Sequence, residues 1–246
     1  MAGHSHASNV AVRKGKQDAK RAQAFAKMSK LIMVAARSNP DTGSNFTLRH
    51  IVEKAKAISM PKDKIEHAIK KGGGLLEGQA QLETIIYEGY APGGSAIMVE
   101  CLTDNPHRTA PLIRNIMDRN NGKLGTSGCV AYMFRRVGLF VFEAGANTED
   151  TIFEAVVEAG AENLENLGGG KMEVICPVDR FQAVDEALQK KGIQSEVSEL
   201  SWITDDQVAL SKEDAEKTEK LIELLDECED TNNIFTNADL SALVAT

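Results

Sequence analysis

The chain has 246 residues, 42% of them apolar and 26% charged, the balance of a folded protein with core enough for one large domain or two to three small ones. No uninterrupted apolar run approaches the roughly 20 residues that a membrane-crossing helix needs, so no membrane partner is expected. The net charge of −8 hides a division, because residues 1–75 hold 15 Lys/Arg against 5 Asp/Glu, a surplus of +10, and the rest of the chain carries −18. A basic module on an acidic body is the electrostatic footprint of nucleic-acid binding, and the acidic part would repel phosphate.

In chain order, a first long helix is expected from about Gly15 to Arg37. At 100° per residue Phe25, Met28, Ile32 and Ala36 share one face, while Arg13, Lys16, Lys20, Lys27 and Lys30 gather on the other, so one side should pack and the other stay free. The turn formers of Ser38–Asn45 (SNPDTGSN) follow and offer Ser44 or Asn45 as an N-cap. A second helix places Leu48, Ile51, Val52, Ala55 and Ile58 inward. A third restarts at Pro61, places Ile65, Ala68 and Ile69 inward, and stops at Lys70-Lys71-Gly72. Residues 1–75 are thus read as a basic three-helix domain, with Gly72–Gln81 as its linker.

From Leu82 the period changes to that of strands. Ile85–Tyr90 and Ser95–Leu102 flank the Ala91-Pro92-Gly93-Gly94 turn, a helix spans about Arg108 to Asn120, and a further strand is expected near Cys129–Arg135. After Gly138 come strand 139–143, helix 148–159, strands 162–167 and 171–176, helix 179–191 and strand 195–202. That βαββαβ order is the ferredoxin-like arrangement. A last acidic helix, capped by Ser211 with Asp214 three residues on, uses Leu221, Leu224 and Leu225 to return to the middle unit. The fold class is α+β: a helical domain at 1–75, a middle α/β domain at 82–135 plus 206–246, and a ferredoxin-like domain at 136–205.

Chemistry is sparse. Gly72-Gly73-Gly74 and Gly168-Gly169-Gly170 lack the flanking pattern of a phosphate-binding loop and read as a cap and a hairpin turn. Cys101, Cys129, Cys176 and Cys228 are too far apart for a zinc or redox motif, and read as reduced thiols of a reducing, cytoplasmic compartment. His50 and His67 stand at no metal-ligand spacing. If Met1 were removed, the Ala2-Gly3-His4 terminus could chelate Cu(II) or Ni(II), but no biological metal and no cofactor is assigned. With no nucleophile or paired-carboxylate context, the chain is expected not to be an enzyme. What remains is the basic end, where Arg13, Lys14, Lys16, Lys20, Arg21, Lys27, Lys30, Lys62, Lys64, Lys70 and Lys71 would contact phosphate. Only Phe25 and Phe46 are aromatic there, so salt-sensitive backbone binding is expected rather than base stacking.

A run of motifs then carries a family resemblance: Met1-Ala2-Gly3-His4-Ser5, Gln17-Asp18-Ala19-Lys20-Arg21, Met60-Pro61-Lys62-Asp63, Ala68-Ile69-Lys70-Lys71-Gly72, Tyr87 to Gly94 (YEGYAPGG), Val99 to Asn105 (VECLTDN) and Arg108-Thr109. In these residues the whole chain resembles the YebC/PmpR family. Because the likeness starts at Met1, the basic end, whose composition also suits a transit peptide, is read as part of the mature protein. The resemblance implies the same three domains. It also implies regulation of gene expression, either by DNA binding in transcription or by action on ribosomal RNA and the ribosome to relieve stalled translation, with the acidic domains open to a protein partner. The chain departs from the family at its tip, where His6-Ala7-Ser8-Asn9-Val10-Ala11-Val12 replaces a stretch richer in Lys, Trp and His. The resemblance therefore adds only His4, Ser5 and Asn9 to the candidate contacts, beside Arg13, Lys14, Lys20 and Arg21.

Overall fold

The computed structural model describes residues 21–76, 82–143, 149–168 and 170–243. Within them the chain divides into two compact units, one built from 21–131 and 211–236, the other from 132–210 and 237–243.

In the first unit, helices α1 (Arg21–Ala36), α2 (Phe46–Ala57) and α3 (Lys62–Gly72) enclose a core of Ile32, Ala36, Leu48, Val52, Ala55, Met60, Ile65 and Ala68. These are the inward positions that helical periodicity selects. Asn45 is the cap of α2: its Oδ1 accepts from Leu48 N at 3.0 Å, and its Nδ2 donates to the carbonyls of Ala35 and Asn39 at 2.9 and 2.7 Å. One side chain thus starts α2 and satisfies a carbonyl left open at the end of α1. Gly72 sits where α3 meets α1, because a Cβ there would lie 2.6 Å from Met33 Cα.

The same unit contains an antiparallel sheet of order β3-β1-β2-β9, made from β1 (Glu83–Tyr90), β2 (Ala96–Thr103), β3 (Lys123–Leu124) and β9 (Thr231–Thr236). Helices α4 (Pro106–Arg119) and α7 (Lys212–Asp226) share a core with it, in which Ile97, Val99 and Cys101 meet Ile113, Met117, Leu221 and Leu225. The acidic last helix does return to the middle sheet, and β9 after it, which the polar run Thr231–Thr236 did not announce, extends that sheet.

The strand expected near Cys129–Arg135 is absent as such. A single 3-10 turn occupies Ala131–Met133, and β4 begins at Arg135. The Glu88 carboxylate takes the place of a strand partner, accepting from the backbone N–H of Gly128, Val130 and Ala131 at 2.6, 3.0 and 2.7 Å. Burial pushes this carboxyl up, yet the three N–H donors outweigh it and hold its pKa below the usual value.

The second unit is the ferredoxin-like one. Its sheet has the order β5-β6-β4-β7, from β4 (Arg135–Glu143), β5 (Asn163–Gly168), β6 (Lys171–Cys176) and β7 (Val197–Ile203), with α5 (Glu149–Val156) and α6 (Phe181–Lys190) as the crossovers. Phe181 of α6 stacks on Phe140 of β4 at 5.0 Å, and Gly138 leaves the room, since a Cβ there would meet Phe181 at 2.8 Å. Residues 206–210 and 237–243, expected with the middle domain, belong here: β8 (Val208–Ala209) and β10 (Ala238–Asp239) pair in parallel.

Candidate nucleic-acid interface

The basic helical region contains three kinds of cation. The first kind is bound internally. Along α1 the side opposite the helical core carries Gln23, Lys27 and Lys30, spaced four and three residues apart and so in one stripe. Gln23 Nε2 donates to the carbonyls of Asp226 and Glu227 at 3.1 and 2.8 Å. Lys27 Nζ donates to Asp226 O and to its Oδ1, both at 2.7 Å. Lys30 Nζ reaches Leu102 O at 3.2 Å, Glu229 O at 3.0 Å and Asp230 Oδ1 at 2.8 Å. The last carbonyls of a helix form its negative pole, so Gln23 and Lys27 complete the end of α7, while Lys30 ties the segment beyond it to β2.

This corrects the sequence expectation for Lys27 and Lys30. The opposite side of α1 is not free, and both lysines serve the fold, their side chains only 16% and 21% exposed. Amphipathic periodicity identified which side of α1 packs on α2 and α3. It carried no sign that the acidic helix end, some two hundred residues later, would cover the other side.

Asp230 is the centre of this contact. It is 4% exposed, and besides Lys30 it accepts from Arg108 Nη2 at 3.0 Å and from Thr109 Oγ1 at 2.7 Å. Arg108 bridges onward to Asp104 at 3.1 Å. Burial pushes the Asp230 carboxyl up, but the hydrogen bonds from Lys30, Thr109 and Arg108 prevail and leave its pKa at about 2. The Thr103-Asp104-Asn105 and Arg108-Thr109 motifs therefore build the socket for one buried carboxylate.

The second kind is held by neighbouring groups at the surface. Arg37 donates to Leu82 O at 2.8 Å. Arg49 lies 5.6 Å over the Phe46 ring, and Lys64 lies 5.5 Å over the Phe25 ring.

The third kind projects into solvent from α2 and α3, where Lys56, Lys62 and Lys70 are exposed and Lys64 is also exposed above its ring contact, whereas Lys71 is half-buried and not of this kind. Ile65, Ala68 and Gly72 set the inner side of α3. At 100° per residue Asp63, His67 and Lys70 then form its outer crest, with Lys62 and Lys64 on opposite flanks. Lys62 is 90% exposed, and its contact with Glu66 is a loose 3.6 Å. Helices α2 and α3 are joined by only Ile58–Pro61, the short connection of a helix-turn-helix. The exposed side of α3 carries no Arg, Asn or Gln, the side chains that most often read base edges.

Of the other sequence-selected residues, His4, Ser5, Asn9, Arg13, Lys14, Lys16 and Lys20 lie outside the described residues, and Arg21 opens α1. Lys56 of α2, exposed in the structure, was not among the residues selected from the sequence. Among the described residues no group of three or more His, Cys, Asp or Glu is placed to hold a metal ion, and no helix is long and apolar enough to cross a membrane. Cys101 and Cys176 are buried free thiols whose pKa burial chiefly pushes up to about 12.

Comparison with known proteins gives concordant matches. Residues 5–75 match the model of the TACO1/YebC protein N-terminal domain, and residues 82–238 that of the TACO1/YebC second and third domain. A probable transcriptional regulatory protein of Laribacter hongkongensis is 44% identical over 98% of this chain and 100% of its own length. One of the same description from Thermobifida fusca is 45% identical over 98% of this chain and 96% of its own. The crystal structure of a conserved hypothetical protein from Aquifex aeolicus superposes with a TM-score of 0.83 at 38% identity, covering 92% of this chain and 93% of that one.

Proposed function

The chain belongs to the TACO1/YebC family, and on that premise we propose that it is a non-enzymatic, cytoplasmic regulator of gene expression that binds DNA through the exposed cations of α2 and α3. The observation that carries this reading is the helix-turn-helix connection between α2 and α3, with Lys62, Lys64 and Lys70 projecting from the second helix in a segment of strong positive charge. The names of its relatives, transcriptional regulatory proteins, support it. With no side chain on α3 suited to bidentate base reading, phosphate contacts supply the affinity, and a single module of this kind needs an oligomer or a partner for specificity.

That same deficit favours a second reading, in which the cations grip ribosomal RNA by shape and phosphate and the protein is a translation factor that relieves stalling. One paired experiment separates them: promoter footprinting at physiological salt beside co-sedimentation with ribosomes. Protected promoter DNA without ribosome association supports transcription, and ribosome association without protection refutes it in favour of translation. In whichever assay binds, Lys62→Glu, Lys64→Glu and Lys70→Glu should each weaken binding and reduce the salt slope by about one.

A further inference from the structure

In the ferredoxin-like unit, α5 and the neighbouring strand β5 enclose a groove of about 270 Å³, lined by Phe153, Val156 and Val157 and rimmed by Glu149, Asp150 and Glu162. Two large apolar side chains stand open on it, Phe153 at 52% and Val157 at 46% exposure, one helical turn apart. The volume is below the range of about 300 to 1,000 Å³ typical of small-molecule pockets, and suits one or two inserted side chains. Residues 149–162 contain five acidic side chains and no Lys or Arg, and Arg135, 3.0 Å from Glu162, is the cation paired there. Beside the groove, β5 is the last strand of its sheet and has β6 on one side only among the described strands. A strand in that position offers backbone donors and acceptors to an added segment.

We propose that this groove is a docking site for a polypeptide segment that presents an apolar side chain between lysines or arginines. The apolar side chain inserts between Phe153 and Val157, its cations face Glu149, Asp150 and Glu162, and its backbone runs along β5. The acidic rim disfavours nucleic acid as the occupant, because phosphate would meet like charge where no Lys or Arg lines the groove. This inference stands apart from the nucleic-acid reading, since it uses the opposite charge in the other unit.

The test uses the full-length protein and a fluorescein-labelled peptide alternating leucine with lysine, read by anisotropy at physiological salt. Its controls are the same peptide with glutamate for lysine, and one with serine for leucine. The basic apolar peptide is expected to bind, and both controls to fail. Phe153→Gln, and separately the double change Glu149→Lys with Asp150→Lys, should each weaken binding about tenfold or more. All three positions are exposed, and unchanged circular dichroism verifies that the variants fold. Equal binding of the serine peptide, or full binding to Phe153→Gln, would reduce the groove to general polycation attraction and overturn the proposal. Concentration-dependent dimerisation lost in Phe153→Gln would overturn it in favour of a second copy of this chain.

Discussion

Replacing Asp230 by Asn removes one buried negative charge and leaves the shape of its socket. The wild-type carboxyl is held at about 2 against an ordinary value of 3.8, a difference equivalent to about 2.5 kcal/mol of folding stability near pH 7. Arg108, at 54% exposure, shares its charge with water, so screening brings the expected loss to roughly 1.5 to 2.5 kcal/mol. The sign follows from the direction of the shift. A carboxyl depressed in the folded state contributes stability above its unfolded pKa, and that stability is lost as pH falls through the folded value. The wild-type advantage over Asp230→Asn should therefore be complete near pH 7, fall to about half near pH 3, and vanish below about pH 2. Urea unfolding followed by far-UV circular dichroism measures it. The single tryptophan, Trp202 of β7, reports separately on the ferredoxin-like unit. A loss below about 0.5 kcal/mol, or one independent of pH, would refute the claim that Asp230 holds α1 to the middle sheet through charge.

Other parts of the fold lead to three more expected outcomes. Lys27→Ala should lower the unfolding midpoint in urea, because it uncaps the end of α7, whereas Lys70→Ala should leave stability within about 0.5 kcal/mol and instead weaken nucleic-acid binding in a salt titration. Glu173 of β6 is 2% exposed, and burial first, then repulsion from Glu165, raises its pKa to about 7, with its Oε2 unpartnered. A raised carboxyl contributes its stability at low pH and loses it as pH rises from about 4.5 through about 7, so Glu173→Gln should be more stable than wild type near pH 8, by up to about 3 kcal/mol, and indistinguishable only below about pH 4 in thermal melts. Gly72→Ala, which helix propensity alone would favour by up to about 1 kcal/mol, should instead destabilise in the same melts by forcing α3 away from the Met33 backbone.

Much of the fold is legible along the chain because it depends on local pattern. The 3.6-residue period selects the inner sides of α1, α2 and α3, Asn45 and Ser211 mark helix starts, and the βαββαβ order of the second half specifies its sheet. The charge division, too, is a property of composition, and it alone singles out the helical end. Periodicity could not tell which exposed-looking side chains would find partners far away in sequence. Lys27 and Lys30 read as free because an acidic helix end that covers them lies about two hundred residues on, and the energy of that contact arises only once Asp226 and Asp230 are carried to α1. The strand expected at Cys129–Arg135 failed for a similar reason, since Glu88 supplies from another strand the acceptors that a ladder would have supplied. Local propensity thus determined which elements form and which end is basic. Tertiary structure decided which cations are consumed in holding the fold and which remain at the surface, because burial and long-range ion pairing exist only between segments that the fold has brought together.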